Sequence, residues 1–373
     1  MCRGMRWLKY ILMVFLAFGV EIVGLADNDG KHDTEKHVPS DELALDGAGE
    51  SVDVSHMLFG HIGDSYGWHV TDWKGQHVTI PLPCIVYSRI SGWHCFMSSE
   101  IEHGHSYKGL FLAHEGRYAD KIVEYGPDGE IIRPFDISIT KNVASLIFTA
   151  ILLLVIVLWT ARWYRSHDAA SEGAPKGFRG LMEMMIVMVN DDIIKESVGP
   201  EYRKYSPYLL TVFFFIFLSN LLGIVPFFPG GANVTGNIAV TMVLAVCSFF
   251  AVNMFANKHY WKEILWPPVP IFLKFPIPLM QMIEIFGMFT KPFSLMVRLF
   301  ANIMAGHAMI LGLVSVIFVT AKLGPVINGS MTVVTMLFGV FMDCLELLVA
   351  FIQAYVFTML SGVFIGMSRQ TEH

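Results

Sequence analysis

The chain has 373 residues, 54% hydrophobic and 16% charged, with a net charge of −6 and a mean hydropathy of +0.53. Soluble domains carry about 45–50% apolar and about 25% charged residues. The composition therefore excludes an ordinary soluble enzyme, a coiled coil, a collagen and a disordered tail protein, and the negative charge disfavours nucleic acid as a partner.

Met1 to Ala26 reads as a secretory signal. Arg3, Arg6 and Lys9 precede a short apolar core, Tyr10 to Val20, and Gly24-Leu25-Ala26 supplies small residues before a cut. The alternative is an uncleaved anchor. The 11-residue core falls short of the roughly 20 residues needed to span, which favours cleavage.

Residues 27–140 hold 19 acids, 8 Lys/Arg and ten of the 14 histidines, a net of −11. The segment is polar and simple to about Ser51. Aromatic and β-branched runs follow at His77–Ile80, Cys84–Tyr87 and Gly109–Leu112, with turn residues at Gly126–Gly129. They predict a small β-rich or mixed exported domain. Cys84 and Cys95 could form one disulfide if the segment is exported. Cys247 and Cys344 lie in apolar runs and read as packing residues. His94, His103, His105 and His114 match no structural zinc pattern, so solvated surface histidines are expected over a metal site.

Residues 141–373 are expected to form a membrane domain. Asn142 to Ala161 is a charge-free, span-length run. Tyr205 to Asn257 contains no acid, Lys or Arg and is long enough for two spans, broken at Pro226–Gly231. Two long helices follow, about 276–320 and 331–368, joined by Lys322–Gly329. Each exceeds the spanning minimum and is expected to tilt. Residues 178–197 look amphipathic and suit the membrane surface. Loops 162–204 and 258–274 carry seven and three Lys/Arg, against none in 229–236 and one in 321–330. The positive-inside rule places the first two in the cytoplasm, the acidic segment outside and the C-terminus inside.

An ionisable residue at mid-membrane costs about 2.5–3.5 kcal/mol on insertion scales and marks a pathway or relay. Arg298 lies 24 residues from both Lys274 and Lys322, too central to snorkel, with no acid within four residues. It stays protonated, so it acts as a fixed positive charge rather than a relay. Residues in a helix turn by about 100° each. Glu284, Lys291 and Arg298 thus share a stripe, with Asn302 one turn beyond Arg298 and His307 nearly opposite. Glu346 and Gln353 share a face of the last helix, with Asp343 one turn from Glu346. This pattern suits two aqueous routes that meet near Arg298. His307 beside a carboxylate can exchange protons near neutral pH; the alternative is a hydrogen-bonded core histidine.

Three segments carry a resemblance. They are Arg298-Leu-Phe-Ala-Asn-Ile-Met-Ala-Gly306, Glu346-Leu-Leu-Val-Ala-Phe-Ile-Gln-Ala-Tyr-Val-Phe-Thr-Met-Leu360 and Leu218-Ser-Asn-Leu-Leu-Gly-Ile-Val-Pro226. Over about 140–370 the chain resembles subunit a of F-type ATP synthases. The resemblance implies an all-α integral membrane protein of about five membrane helices and one amphipathic surface helix. The last two helices would be long and tilted, and would wrap against a ring of c subunits. It implies that Arg298 faces the ring carboxylate, with Gln353 and Asn302 beside it. Glu284 would line the cytoplasmic half-channel, and His307, Glu346 and Asn220 the outer one. Many relatives carry the His307 and Glu346 residue types in swapped order. The loop Gly231–Asn237 lacks the acid common in the family, with Asn237 in its place; Asp343 is a candidate substitute. The long exported domain goes beyond the usual short tail, so its role is not inherited.

The function this implies is proton translocation coupled to rotation and ATP synthesis, without catalysis on this chain. No Gly-x-x-x-x-Gly-Lys-Ser/Thr loop occurs, so nucleotide chemistry belongs to other subunits. No cofactor or metal is expected. The expected partners are the c ring, the b subunits, the rest of the synthase and the lipid bilayer of a bacterial inner membrane. A stand-alone transporter and a membrane-anchored sensor are the competing classes; the first often shows internal repeats, and none is visible.

Overall fold

Alternation of apolar and polar residues builds the first domain. The computed structural model describes residues 63–73, 76–101, 105–113, 118–126, 129–167, 175–225, 230–254, 256–265, 279–321 and 324–369. The expected signal, His103, His114, Lys274 and Lys322 lie outside these. Strands β1 (Gly67–Trp73) and β2 (Gln76–Pro81) pair antiparallel. β3 (Pro83–Ser88) lies between β4 (Gly92–Met97) and β8 (Phe135–Asp136). β6 (Ile122–Tyr125) lies between β5 (Leu110–Leu112) and β7 (Ile131–Ile132). The three expected strand runs fall in β2, β3 and β5.

Cys84, Val86 and Phe96 point inward and pack with Tyr66, Ile101, Leu110 and Ile122. The next positions, Tyr87, Trp93, Cys95 and Met97, face out, as a period of two requires. This register corrects the disulfide expectation. Cys84 pairs with Phe96 and Cys95 with Ile85, so the two thiols sit on opposite faces of the sheet and do not form a disulfide. His94 is also corrected: it is buried, and its Nε2 lies 2.7 Å from Ser91 Oγ. His105 is exposed as expected, and among the described residues no cluster of metal-binding side chains forms. Ser88 Oγ accepts from the N–H groups of Ile90 and Ser91 and donates to buried Glu124 Oε2 at 2.5 Å, which joins the two three-stranded sheets.

The domain caps the first membrane helix. α1 (Lys141–Ser166) starts without a side-chain cap from its own N-cap residue, Thr140. Asp64 supplies one instead: its Oδ1 accepts from Asn142 N at 3.1 Å, and Lys141 N donates to Ser65 O at 2.9 Å. A carboxylate there satisfies orphan N–H groups and complements the helix dipole. Burial nevertheless raises the Asp64 pKa above its ordinary value, opposed by these hydrogen bonds. Tyr66 donates to Asp136 nearby.

Apolar helices make up the rest, and the chain is a multi-pass membrane protein. α2 (Phe178–Met188) continues through a π-helix (Val189–Lys195) into the short α3 (Glu196–Val198). α4 (Tyr202–Ile224), α5 (Ile238–Met254), the short α6 (Lys258–Leu265), α7 (Leu279–Thr320) and α8 (Pro325–Arg369) follow. α1, α4, α7 and α8 are long and apolar enough to span; α5, with 17 residues, sits at the lower limit. α8 begins earlier than expected. Gly324, with φ of +104°, turns the chain, and Pro325 at the first helical position is pre-set for a helix. Val326 to Gly329 are therefore helical rather than loop. Part of the loop expected at 258–274 is α6.

α4 holds the bundle together. Leu209, Val212, Phe213 and Ile216 are fully buried. They belong to one core with Leu146 of α1, Ile193 and Ile194 of the π-helix, Leu244 of α5, Leu299 of α7 and Phe357 of α8. The surface helix presents Met182 and Met185 to this core but leaves Phe178, Leu181, Met184 and Val187 exposed. Arg179 stacks 4.1 Å from the centre of the Trp159 ring. The π-helix places Val189, Ile193 and Ile194 all inward, which suits an inserted residue.

The C-terminal end of α8 packs on α3 through glycines. A Cβ at Gly362 would lie 3.1 Å from Ser197 Cβ, and one at Gly366 would collide with the Ser197 carbonyl. Two small residues four apart are a general route to close helix approach in membranes. Gly366→Val is therefore expected to detach α3 from α8 and lower the amount of assembled complex in membranes, whereas Gly287→Ala, where a Cβ meets open space, should not. Equal assembly of the two variants would show that the close approach is dispensable. Arg369 secures the same end: it donates to Glu201 and, through Nη1, to Asn257 Oδ1 at 3.0 Å.

Candidate functional site

The site is built on the α7–α8 pair. With 42 and 45 residues, these helices are about 63 and 68 Å long, twice the roughly 30 Å apolar core of a bilayer, and must tilt or extend beyond it. Leu295, Met296, Leu299 and Ile303 form the inner face of α7. Arg298 lies on the outer face and is exposed, as are Ser294, Ala301, Asn302 and Ala305 around it. Small residues thus surround a guanidinium that, among the described residues, has no hydrogen-bond or ion-pair partner.

His307 is half a turn away in projection and faces α8. Its Nδ1 lies 2.5 Å from Oε1 of Glu346, a short hydrogen bond. Glu346 is 5% exposed and the His307 side chain 18%, so the pair is buried with one accessible edge. Gly306 makes the approach possible, since a Cβ there would lie 3.0 Å from Glu346 Oε1. Gly223 of α4 flanks the other ring nitrogen, with a Cβ position 3.9 Å from Nε2. One turn earlier on α4, Asn220 is buried. Its Nδ2 donates to Ala350 O at 3.3 Å, one turn after Glu346, and its Oδ1 accepts from Thr235 Oγ1 at 2.6 Å. Gln353 is buried on the Glu346 side of α8.

The expected residues therefore separate into three groups. His307, Glu346 and Asn220 converge, with Gln353 buried two turns along α8. Arg298 and Asn302 share the exposed outer face. Asp343 is exposed and does not join the His307–Glu346 pair, which weighs against it as a substitute for the missing acid. Glu284 is half-buried near Tyr260 of α6. The Tyr260 pKa is raised by burial, with the Glu284 charge adding to it.

The expected stripe of Glu284, Lys291 and Arg298 does not hold as one line. Pro292 lies inside the helix next to Lys291. Lys291 turns inward to lie 5.3 Å from the centre of the Phe364 ring of α8, while Arg298 faces out. Lys291 also lines a small pocket with Ser248, Asn253, Tyr260 and Phe364. Its members come from four helices, and no spacing in the sequence links them. Thr235 was equally unmarked, since its hydrogen bond to Asn220 depends on how the loop folds back.

A match to the family described as ATP synthase A chain covers residues 143–366, which include every one of these side chains. The chain belongs to the ATP synthase A chain family. Residues 57–139 match a separate family described only as a domain of unknown function (DUF8433). Among relatives, ATP synthase subunit a of Chlorobium phaeobacteroides is 39% identical over 73% of this chain and 78% of its own length. ATP synthase subunit a 2 of Prosthecochloris aestuarii is 37% identical over 75% and 85%. ATP synthase subunit a of Myxococcus xanthus, from outside that group, is 37% identical over 69% and 82%. As an A chain family member, the protein is a membrane component of an ATP synthase.

Proposed function

We propose that the chain carries protons across the membrane to and from a rotating ring of c subunits, as the non-catalytic stator channel of its synthase. The observation that carries this reading is the division of charge in α7. Arg298 is exposed and, among the described residues, without a partner, while the His307–Glu346 pair is buried behind it. An unpaired arginine at membrane depth is costly. A carboxylate brought by another subunit removes that cost.

The sequence of steps follows from charge. A proton from outside passes along Asn220, His307 and Glu346 and neutralises a ring carboxylate. An uncharged acid enters lipid at far lower cost than an anion. After nearly a full turn the acid meets the cytoplasmic route near Glu284 and loses its proton. Arg298 then favours the carboxylate form and blocks direct flow between the routes, with Asn302 on the same face. The 2.5 Å contact between His307 Nδ1 and Glu346 Oε1 supports proton exchange there, because one hydrogen bond joins the two groups directly.

In this reading residues 1–26 direct export, residues 27–140 form a periplasmic domain, and residues 141–373 form the channel domain, with the C-terminus in the cytoplasm. The b subunits complete the stator. The basic loops at 162–204 and 258–274 support this orientation. The test is ATP-driven acidification of inverted vesicles that contain the whole complex. Acidification that is abolished by a protonophore is expected. Hydrolysis by the intact complex without proton movement would overturn the reading.

A further inference from the structure

We propose that the β-rich N-terminal domain positions the proton route through Trp68, an inference that rests on the outer route assigned above. The indole Nε1 of Trp68 donates to the carbonyl of Gly230 at 3.2 Å, across 162 residues, and this contact is buried. Trp68 itself is 5% exposed. It therefore holds one end of the loop between α4 and α5.

That loop is folded tightly against α4. Gly231 N donates to Leu222 O at 3.3 Å, and a Cβ at Gly230 would collide with Leu222 O and Val225 O. Asn233 Oδ1 accepts from Gly236 N at 2.8 Å and closes a turn around Thr235. Thr235 then donates to Asn220, and Asn220 donates to Ala350 O beside Glu346. A continuous series of contacts thus runs from an indole in the small domain to the neighbourhood of the His307–Glu346 pair.

Two properties make this more than general packing. Each contact after Trp68 is made by a polar side chain or a constrained glycine, so a shift in the loop reaches Asn220 directly. The domain is also anchored at a second point, where Asp64 and Ser65 hold the first turn of α1. Two anchors fix the orientation from which Trp68 reaches the loop. Trp68 is thus a positioning residue: through Gly230 it sets where the loop, and with it Asn220, stands. The environment of a buried carboxylate decides how readily it takes a proton.

The experiment uses the whole complex in liposomes, with ATP synthesis driven by an imposed potential while the pH on the proton-uptake side is varied. Trp68→Phe keeps an aromatic ring but removes the donor. Thr235→Val removes the hydroxyl, and Thr235→Ser keeps it. Trp68→Phe and Thr235→Val are expected to move the midpoint of the pH profile in the same direction, by about half a pH unit. Their combination should move it no further than the larger single change, and Thr235→Ser should restore the native profile. A lower yield of complex with an unmoved midpoint, or shifts that add in the double variant, would overturn the inference. Glu346→Gln separates the two failures. An unimpaired Glu346→Gln complex overturns the outer route and this inference with it; an impaired one with an unmoved Trp68→Phe midpoint overturns this inference alone.

Discussion

Replacing Arg298 with alanine is expected to abolish ATP-driven acidification of inverted vesicles while ATP hydrolysis persists. Arg298 is exposed on α7 among Ser294, Ala301, Asn302 and Ala305, so its removal creates no cavity and leaves no partner among the described residues unsatisfied. The variant should therefore fold and assemble. The lost interaction is with a carboxylate from outside. Two unit charges about 4 Å apart at an effective dielectric of 20 interact by about 4 kcal/mol, which corresponds to about a thousandfold in rate. Arg298→Lys keeps the charge but not the planar, weakly hydrated guanidinium, and should recover little. Pumping by Arg298→Ala at native rates would remove this residue from the mechanism and reopen the transporter and sensor readings.

The second large effect concerns the buried pair. His307→Ala and Glu346→Gln should each lower proton pumping by one to two orders of magnitude, with hydrolysis retained. His307→Ala leaves Glu346 buried without its hydrogen-bond partner, whereas Glu346→Gln keeps a hydrogen-bonding group beside His307 but removes the acid. An unsatisfied buried polar group costs about 1–3 kcal/mol, so some of the loss in His307→Ala will be stability, visible as less assembled complex. Exchange separates the contributions. His307→Glu combined with Glu346→His retains one acid and one imidazole between α7 and α8. If proton exchange within the pair is what matters, the double variant should pump faster than either single variant at equal assembly. A double variant worse than both would mean that each residue acts in its own place, with no shared proton.

Much of this was legible in the sequence because the membrane makes charge conspicuous. Arg298 stands out as a cation in an apolar run, and 100° per residue was enough to turn His307 away from it toward Glu346. The span positions followed from the same contrast. Features that depend on register were harder to read. Cys84 and Cys95 are near in sequence and share a hairpin, yet a one-residue offset sends their thiols to opposite faces. His94 alternates inward for the same reason. Lys291 left its expected stripe because its long side chain reaches across to the Phe364 ring of α8, beside a proline inside the helix, Pro292. The Trp68–Gly230 and Asp64–Asn142 contacts join residues 162 and 78 positions apart, and no local pattern encodes either one.

The uneven attachment of α8 bears on how the molecule carries load. From Glu346 onward the helix is fixed by His307, by Asn220 at Ala350, by the glycine contacts on α3, and by Glu201 and Asn257 at its end. From Pro325 to Leu345 most positions are exposed, including Val333, Leu337 and Phe341. A rod clamped over half its length bends mainly in the other half. A sideways push from a turning neighbour would thus be stored as elastic strain between Pro325 and Leu345, while the clamped half keeps Glu346 and Gln353 at fixed distances from α7. Compliance and precision are assigned to different halves of one continuous helix.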